Sequence, residues 1–138
     1  MSSLDPAHDV TAVAEIRAAL PEVVAIYRFG SSADGTTGRE SDVDLALLTT
    51  APLAAAARFD LQERLALALR RPVDLVDLRT VSPVMAIQVI ARGALLYDGN
   101  AATRGAFEDR VYGAYARLNE ERRGILDRIA VEGTVYGG

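Results

Sequence analysis

The chain has no cysteine, no lysine and only one histidine, His8, so all fifteen of its basic side chains are arginine. Without cysteine there can be no disulfide, thiolate metal ligand or cysteine nucleophile. One histidine is too few for a histidine-ligated zinc site or a Ser-His-Asp triad. The lack of lysine excludes a P-loop NTPase and Schiff-base chemistry. Carboxylates, hydroxyls, arginines and backbone amides remain, and this set suits divalent-metal chemistry on phosphates.

Long apolar runs and an excess of basic charge are also lacking. No apolar run in the 138 residues approaches the length of about 18 that spans a bilayer, so we expect no membrane segment. The N-terminus lacks the basic and apolar regions of a secretory signal, which favours a cytoplasmic location. The net charge of −4 argues against extended nucleic-acid binding, because such binders are usually basic. The length predicts a single domain over residues 1–138.

Apolar periodicity predicts alternating helices and strands, with a core over about residues 10–97. The first helix would begin at an Asp9 N-cap and run to about Leu20. Ser82 would cap a later helix that has Pro83 at its first position. A long helix at about 103–129 would present an apolar stripe and end in a loose tail. Strands are predicted at 23–29, 42–49, 73–78 and 94–97, with a further helix at 53–70.

The lengths of the connections predict how the strands pair. The helix at 53–70 gives the link between strands 42–49 and 73–78 the length of a parallel βαβ crossover. The link between strands 23–29 and 42–49 is too short for such a crossover, so that pair should be antiparallel. We therefore expect an α/β (α+β) fold, with a small mixed sheet of three to four strands and helices packed against it.

Two carboxylates open the second predicted strand. Asp42 and Asp44 are two residues apart, so their side chains project from the same face of the strand. Like charges this close repel each other unless a cation lies between them. Mg²⁺ is commonly held by carboxylates together with substrate phosphates. The alternative interpretation is a solvent-facing acidic pair on an edge strand.

The first predicted strand ends in Gly30 and Ser31. Glycine allows the backbone to approach a ligand closely, and Ser31 offers a hydroxyl and an N–H, as in a phosphate-binding corner. Ten residues separate this pair from Asp42, and an antiparallel return would bring the two aspartates close to it. Taken alone, Gly30-Ser31 could equally be a tight turn.

A third carboxylate should come from the neighbouring parallel strand, where there are two candidates. Asp74 and Asp77 lie on opposite faces because their spacing is odd. Asp74 opens its strand as Asp42 and Asp44 open theirs, so alignment favours Asp74. Asp77 then has an ordinary interpretation as a polar strand end or a cap on the helix side.

These motifs resemble the DNA polymerase beta-like nucleotidyltransferase superfamily, over about residues 23–97. The size resembles its minimal nucleotidyltransferase (MNT) branch. The long C-terminal helix and the tail Gly133–Gly137 further resemble the MntA-type antitoxins of HEPN–MNT (type VII) toxin–antitoxin modules. Many members read G-S-x-A-R-G at the first motif, whereas Asp34 replaces that arginine here, which leaves Arg39 as the candidate substitute. The resemblance rests on Gly30-Ser31, Asp42-Val43-Asp44-Leu45 and Val73-Asp74-Leu75.

The resemblance implies transfer of a nucleoside monophosphate from a triphosphate to a hydroxyl, with release of pyrophosphate and with two Mg²⁺ ions as cofactors. It implies that Asp42 and Asp44 hold the metals and that Asp74 shares the metal near the acceptor. Gly30, Ser31 and Arg39 would bind the phosphates of ATP. The implied acceptor is a tyrosine of a HEPN ribonuclease toxin, with which the chain would form a hetero-oligomer.

Two other functions stay open at this point. The first is a small-molecule nucleotidyltransferase of the antibiotic-modifying type, for which the chain has little room. The second is a non-catalytic module that blocks a toxin by binding it, although an unused cluster of like charges would reduce stability. The long helix is likewise open to two interpretations, as packing for its own domain or as a face that binds a partner.

Overall fold

The computed structural model describes residues 6–30 and 42–136, which form four helices and four strands. Their order is helix, strand, strand, helix, strand, helix, strand, helix. The bounds are α1 Pro6–Ala19, β1 Ala25–Phe29, β2 Val43–Leu48, α2 Ala55–Leu69, β3 Val73–Asp77, α3 Pro83–Arg92, β4 Ala94–Asp98 and α4 Ala101–Tyr136.

The four strands form one mixed sheet in the order β3-β2-β1-β4. β1 pairs antiparallel with β2 and with β4, whereas β2 pairs parallel with β3 through the α2 crossover. Both predictions made from the connection lengths are therefore confirmed. The short link between β1 and β2 reverses the direction of the chain, so these strands run antiparallel. The longer link through α2 returns the chain to the end of the sheet at which β2 began, so β2 and β3 run parallel.

Alternation along the strands divides the core between the two faces of the sheet. Ile26, Leu45 and Leu75 point to the face covered by α1 and α2, where Ile16 and Leu65 are fully buried. The other face carries the residues between them and is covered by α3 and the first half of α4. That second cluster contains Tyr27, Phe29, Ala46, Leu48, Ala86, Val89, Phe107 and Val111.

The ends of two helices confirm one N-cap predicted from the sequence and correct another. Ser82 caps α3, its hydroxyl accepting from the Met85 N–H at 3.2 Å, and Gly93 follows the last residue as predicted. Asp9 is not an N-cap, because α1 begins at Pro6. Its carboxylate instead pairs with the Arg28 guanidinium on β1 at 3.0 Å, and so ties α1 to the sheet.

The last helix is longer than predicted at both ends. Asn100 supplies the N-cap, because its side chain accepts from the Thr103 N–H at 3.0 Å. The helix then continues to Tyr136, so the segment predicted as a loose tail is helical in the described chain. Gly133 does not end it, since glycine weakens a helix but is not sterically excluded from one. The side chain of Ile129, predicted on the apolar stripe, lies outside the described residues.

The outer edge of β3 is covered by two side chains of α2. The amide oxygen of Gln62 accepts from the Leu75 N–H at 2.9 Å, and Arg58 donates to the Leu75 carbonyl at 3.0 Å. These bonds satisfy backbone groups that would otherwise be open to another strand. β3 is thus hydrogen-bonded to β2 on one side and to side chains of α2 on the other.

Candidate active site

Three carboxylates meet at one edge of the sheet. Asp44 is the second residue of β2, Asp42 directly precedes that strand, and Asp74 is the second residue of β3. Asp44 and Asp74 are register partners in the parallel pair, so their side chains leave the same face side by side. This is the face covered by α3 and α4. The register therefore places the three sequence-predicted aspartates together.

The electrostatics of Asp44 reflect this crowding. Burial raises the pKa of the Asp44 carboxyl above its ordinary value, and the nearby charges of Asp74 and then Asp42 raise it further. Asp44 is half-buried beside Phe29, its partner on β1, whereas Asp42 and Asp74 are exposed. The charged form of the Asp44 carboxylate is thus disfavoured unless a cation compensates it.

The donor set fits Mg²⁺. All three side chains are carboxylates, the hard oxygen ligands that Mg²⁺ prefers, and partial exposure leaves room for phosphate oxygens and water. Within residues 6–30 and 42–136, no group of three or more acidic, cysteine or imidazole side chains lies close enough to hold a metal ion. A Mg²⁺ ion at this edge would therefore need further ligands from substrate phosphates and water, as Mg²⁺ commonly does.

Gly30 lies directly against the Asp44 carboxylate. Its φ of +76° is in the left-handed region that favours glycine. A Cβ atom added there would lie 3.0 Å from the Asp44 Cγ and would overlap its Oδ2 oxygen. Glycine at this position therefore makes room for a carboxylate of the site. Of the other predicted residues of the first motif, Ser31, Asp34 and Arg39 lie outside the described residues.

Asp77 belongs to the opposite face of the sheet. It is paired with Leu47 in register and is only 1% exposed. Its two carboxylate oxygens accept from the Leu53 N–H at 2.8 Å and the Arg79 N–H at 2.9 Å. These bonds hold the segments that lead into α2 and out of β3. The structure thus brings Asp74, and not Asp77, to the acidic edge.

A polar network on the sheet face covered by α3 and α4 was not predicted from the sequence. The Tyr27 hydroxyl on β1 donates to Glu108 of α4 at 2.7 Å, and Arg104 pairs with both Glu108 and Asp98. Burial and the bond to Glu108 raise the pKa of Tyr27. The available signal was a tyrosine inside an apolar strand, since a buried hydroxyl needs a partner. The network ties α4 to the strand that leads into Gly30.

An apolar cavity lies elsewhere on the molecule. It has a volume of about 640 Å³ and lies between α1 and β4, with Val10, Val13 and Leu96 in its walls. Its walls are mostly apolar and include no residue of the acidic edge. Charge and strand register converge at the acidic edge and not at this cavity.

Comparisons with known proteins show the family to which the chain is similar. The family described as "Polymerase beta, Nucleotidyltransferase" matches residues 12–102. The protein adenylyltransferase MntA of Shewanella oneidensis is 39% identical over 114 residues, which are 83% of this chain and 81% of that protein.

None of the helices in the described part of the chain is both long and apolar enough to cross a membrane.

Two solved structures are similar over nearly their whole length. A crystal structure of a toxin–antitoxin complex with AMP-PNP contains a chain 36% identical, with a TM-score of 0.78 over 88% of this chain and 98% of that one. A structure of the tri-AMPylated HEPN toxin of Shewanella oneidensis in complex with its MNT antitoxin gives 32% identity and a TM-score of 0.74. That match covers 90% of this chain and 97% of the other.

Proposed function

The chain belongs to the polymerase beta nucleotidyltransferase family, and on that premise we propose that it transfers AMP from ATP to a tyrosine of a HEPN ribonuclease toxin. The observation that carries the proposal is the in-register pairing of Asp44 with Asp74, with Asp42 beside them. Support comes from relatives that are a named protein adenylyltransferase and an antitoxin bound to an AMPylated toxin.

We assign the roles in this reaction as follows. Asp42 and Asp44 would hold Mg²⁺, and Asp74 would share in holding it. The bound metal neutralises phosphate charge and stabilises the charge that develops in the transition state. Gly30, Ser31 and Arg39 bind the phosphates of ATP. The tyrosine oxygen forms a bond to the α-phosphorus, the bond to pyrophosphate breaks, and the phenol proton is released.

The transfer would silence the toxin through charge and bulk. A phosphodiester-linked nucleotide carries a negative charge and, beside the toxin's catalytic residues, would occupy the place of an RNA phosphate. RNA would then be repelled as well as excluded sterically. The proposal includes a cytoplasmic location, where both ATP and RNA are available.

Co-expression with the toxin tests the proposal. The toxin would be expressed with the wild-type chain or with the Asp42→Asn/Asp44→Asn double variant, followed by mass spectrometry of the toxin. Rescue by the wild type alone, with a mass increase of one or more AMP units on a tyrosine, is the expected result.

Two outcomes would replace the proposal with another function. Equal rescue by the double variant, with unmodified toxin, would make the chain a non-catalytic binding module. Modification of small hydroxylated compounds and not of the toxin would make it a small-molecule nucleotidyltransferase.

A further inference from the structure

The last helix extends well beyond the body that it packs on. α4 has 36 residues, whereas α3, its main helical neighbour, has 10. At about 1.5 Å per residue, α4 is about 54 Å long. Phe107 and Val111 in its first half are 7% and 8% exposed, whereas Ile125 and Leu126 are 47% and 57% exposed. Every residue from 120 to 126 is exposed.

The apolar stripe of α4 continues from the buried half to the exposed half, interrupted by Arg122 between Leu118 and Ile125. Phe107, Val111, Leu118 and Ile125 recur at helical spacing, so they share one face. The first two pack in the core, Leu118 is half-buried, and Ile125 is exposed. The same face therefore changes from a core surface to an accessible one at about residue 118.

The exposed half of α4 contains a glycine, Gly124. Gly124 lies in a helix interior, where glycine is unfavourable. A Cβ atom added there would meet nothing within 4 Å. Gly124 and Ile125 instead line a shallow concavity between Glu121 and Arg128. A missing side chain beside an exposed apolar one lets a partner's backbone approach the helix closely.

Charge argues against a second copy of the chain as the occupant. Arg122 lies on the stripe between Leu118 and Ile125, at helical spacing from both. If two copies paired along this stripe, parallel or antiparallel about its centre, each would place Arg122 close to its counterpart. Such a contact between like charges is unfavourable. A different protein with an apolar surface and a carboxylate opposite Arg122 fits this stripe better.

We propose that the α4 segment 118–128 is a docking surface for the ribonuclease toxin, which contributes an apolar, carboxylate-bearing surface. The proposal rests on the proposed function, because that function supplies the partner. The segment shares no residue with the acidic edge, so it contributes affinity and not chemistry. The Tyr27–Glu108 hydrogen bond and the Arg104 ion pairs fix the base of the helix to the sheet and hold the surface in a defined direction.

Binding is measured first, in the full chain that carries Asp42→Asn/Asp44→Asn, so that modification of the toxin does not alter the result. Calorimetric titration with purified toxin would compare Ile125→Glu and Gly124→Leu with that background. Leu67→Glu on α2 is the matched control, because Leu67 is 81% exposed and apolar but lies on another helix. Circular dichroism checks that the helical content is kept.

We expect Ile125→Glu and Gly124→Leu each to raise the Kd at least tenfold, and Leu67→Glu to leave it unchanged. In the otherwise wild-type chain, Ile125→Glu should raise the toxin concentration needed for half-maximal AMP transfer by a similar factor. The rate at saturating toxin should be retained, because the acidic edge is intact.

Three results would overturn the docking surface: an unchanged Kd in both variants, an equal loss in Leu67→Glu, or self-association of the chain alone that Ile125→Glu abolishes. The last would assign the stripe to a second copy. Failure of the proposed function looks different. If the wild type binds the toxin and Ile125→Glu does not, but no AMP is transferred, the docking surface stands and the transfer does not.

Discussion

The contact between Gly30 and Asp44 leads to the sharpest test of the site. Replacing Gly30 with alanine adds one methyl group at a position with a φ of +76°. That methyl group would overlap the Asp44 Oδ2 oxygen, so the carboxylate or the backbone must move. The substitution therefore perturbs the central aspartate without changing any charge.

The two consequences of Gly30→Ala can be given separate magnitudes. A left-handed backbone disfavours an L-residue by about 1–2 kcal/mol. Forcing a methyl group into an occupied space adds about 1–3 kcal/mol. Together they predict a loss of about 2–5 kcal/mol in the free energy of unfolding. A displacement of about 1 Å at a reacting site can lower the rate about 100-fold, so transfer should fall by at least that factor.

Urea unfolding and AMP transfer measure the two effects. Asp44→Ala, alone and combined with Gly30→Ala, completes a double-mutant cycle, because removing the carboxylate should recover the steric part and leave the conformational part. Gly105→Ala in α4 is the matched control, since a Cβ there meets nothing within 4 Å. It should stabilise the chain by about 0.5–1 kcal/mol. Wild-type stability and activity in Gly30→Ala, or no coupling to Asp44→Ala, would refute the reasoning.

Three further predictions concern the carboxylates and the buried tyrosine. Asp42→Asn and Asp44→Asn should each lower AMP transfer by several orders of magnitude, while the metal-free fold is retained or slightly stabilised. Full transfer activity in either variant, or in the wild type with EDTA, would contradict the metal site. Asp74→Ala should abolish AMP transfer. Asp77→Ala should lower the free energy of unfolding by about 1–3 kcal/mol for each backbone N–H left unsatisfied. The reverse pattern, in activity and urea-unfolding assays of both variants, would contradict the assignment. Folding raises the pKa of Tyr27, so its contribution to the free energy of unfolding is fully present below about pH 10. That contribution should be lost as the pH rises further, because the tyrosine of the unfolded chain ionises before that of the folded chain. Tyr27→Phe should remove that alkaline loss, and identical alkaline unfolding of both proteins would refute it.

Most of the sheet could be predicted because its signals are local. Alternation fixes which residues share a face, and the length of a connection fixes whether two strands run parallel. Pro83 marks the start of α3 because its ring fixes φ. Gly93 marks the end of α3, where a Cβ atom would overlap the Val89 carbonyl oxygen. These are properties of a few consecutive residues, so a single sequence carries them.

The features that escaped prediction depend on tertiary contacts. Asp9 suits an N-cap by residue type, but its partner is Arg28, which only packing brings within reach. The partner of Tyr27 is 81 positions away on α4, and no local pattern relates the two. Gly30 lies against the Asp44 side chain of the neighbouring strand, a contact that no local pattern indicates. In each case the residue type indicated a polar or structural role, but the sequence alone did not identify the residue that it contacts.

The two aspartates of β3 show how far one pairing register reaches. Asp74 and Asp77 differ by three positions, so one strand must direct them to opposite faces whatever the fold. Pairing with β2 then decides which face carries chemistry, because Asp44 and not Leu47 is opposite Asp74. A slip of one residue would direct Asp74 into the apolar layer under α1 and α2 and leave the N–H groups of Leu53 and Arg79 without their acceptor. The buried bonds of Asp77 therefore stabilise the register that keeps Asp74 beside Asp44, so a residue outside the acidic edge helps to determine its geometry.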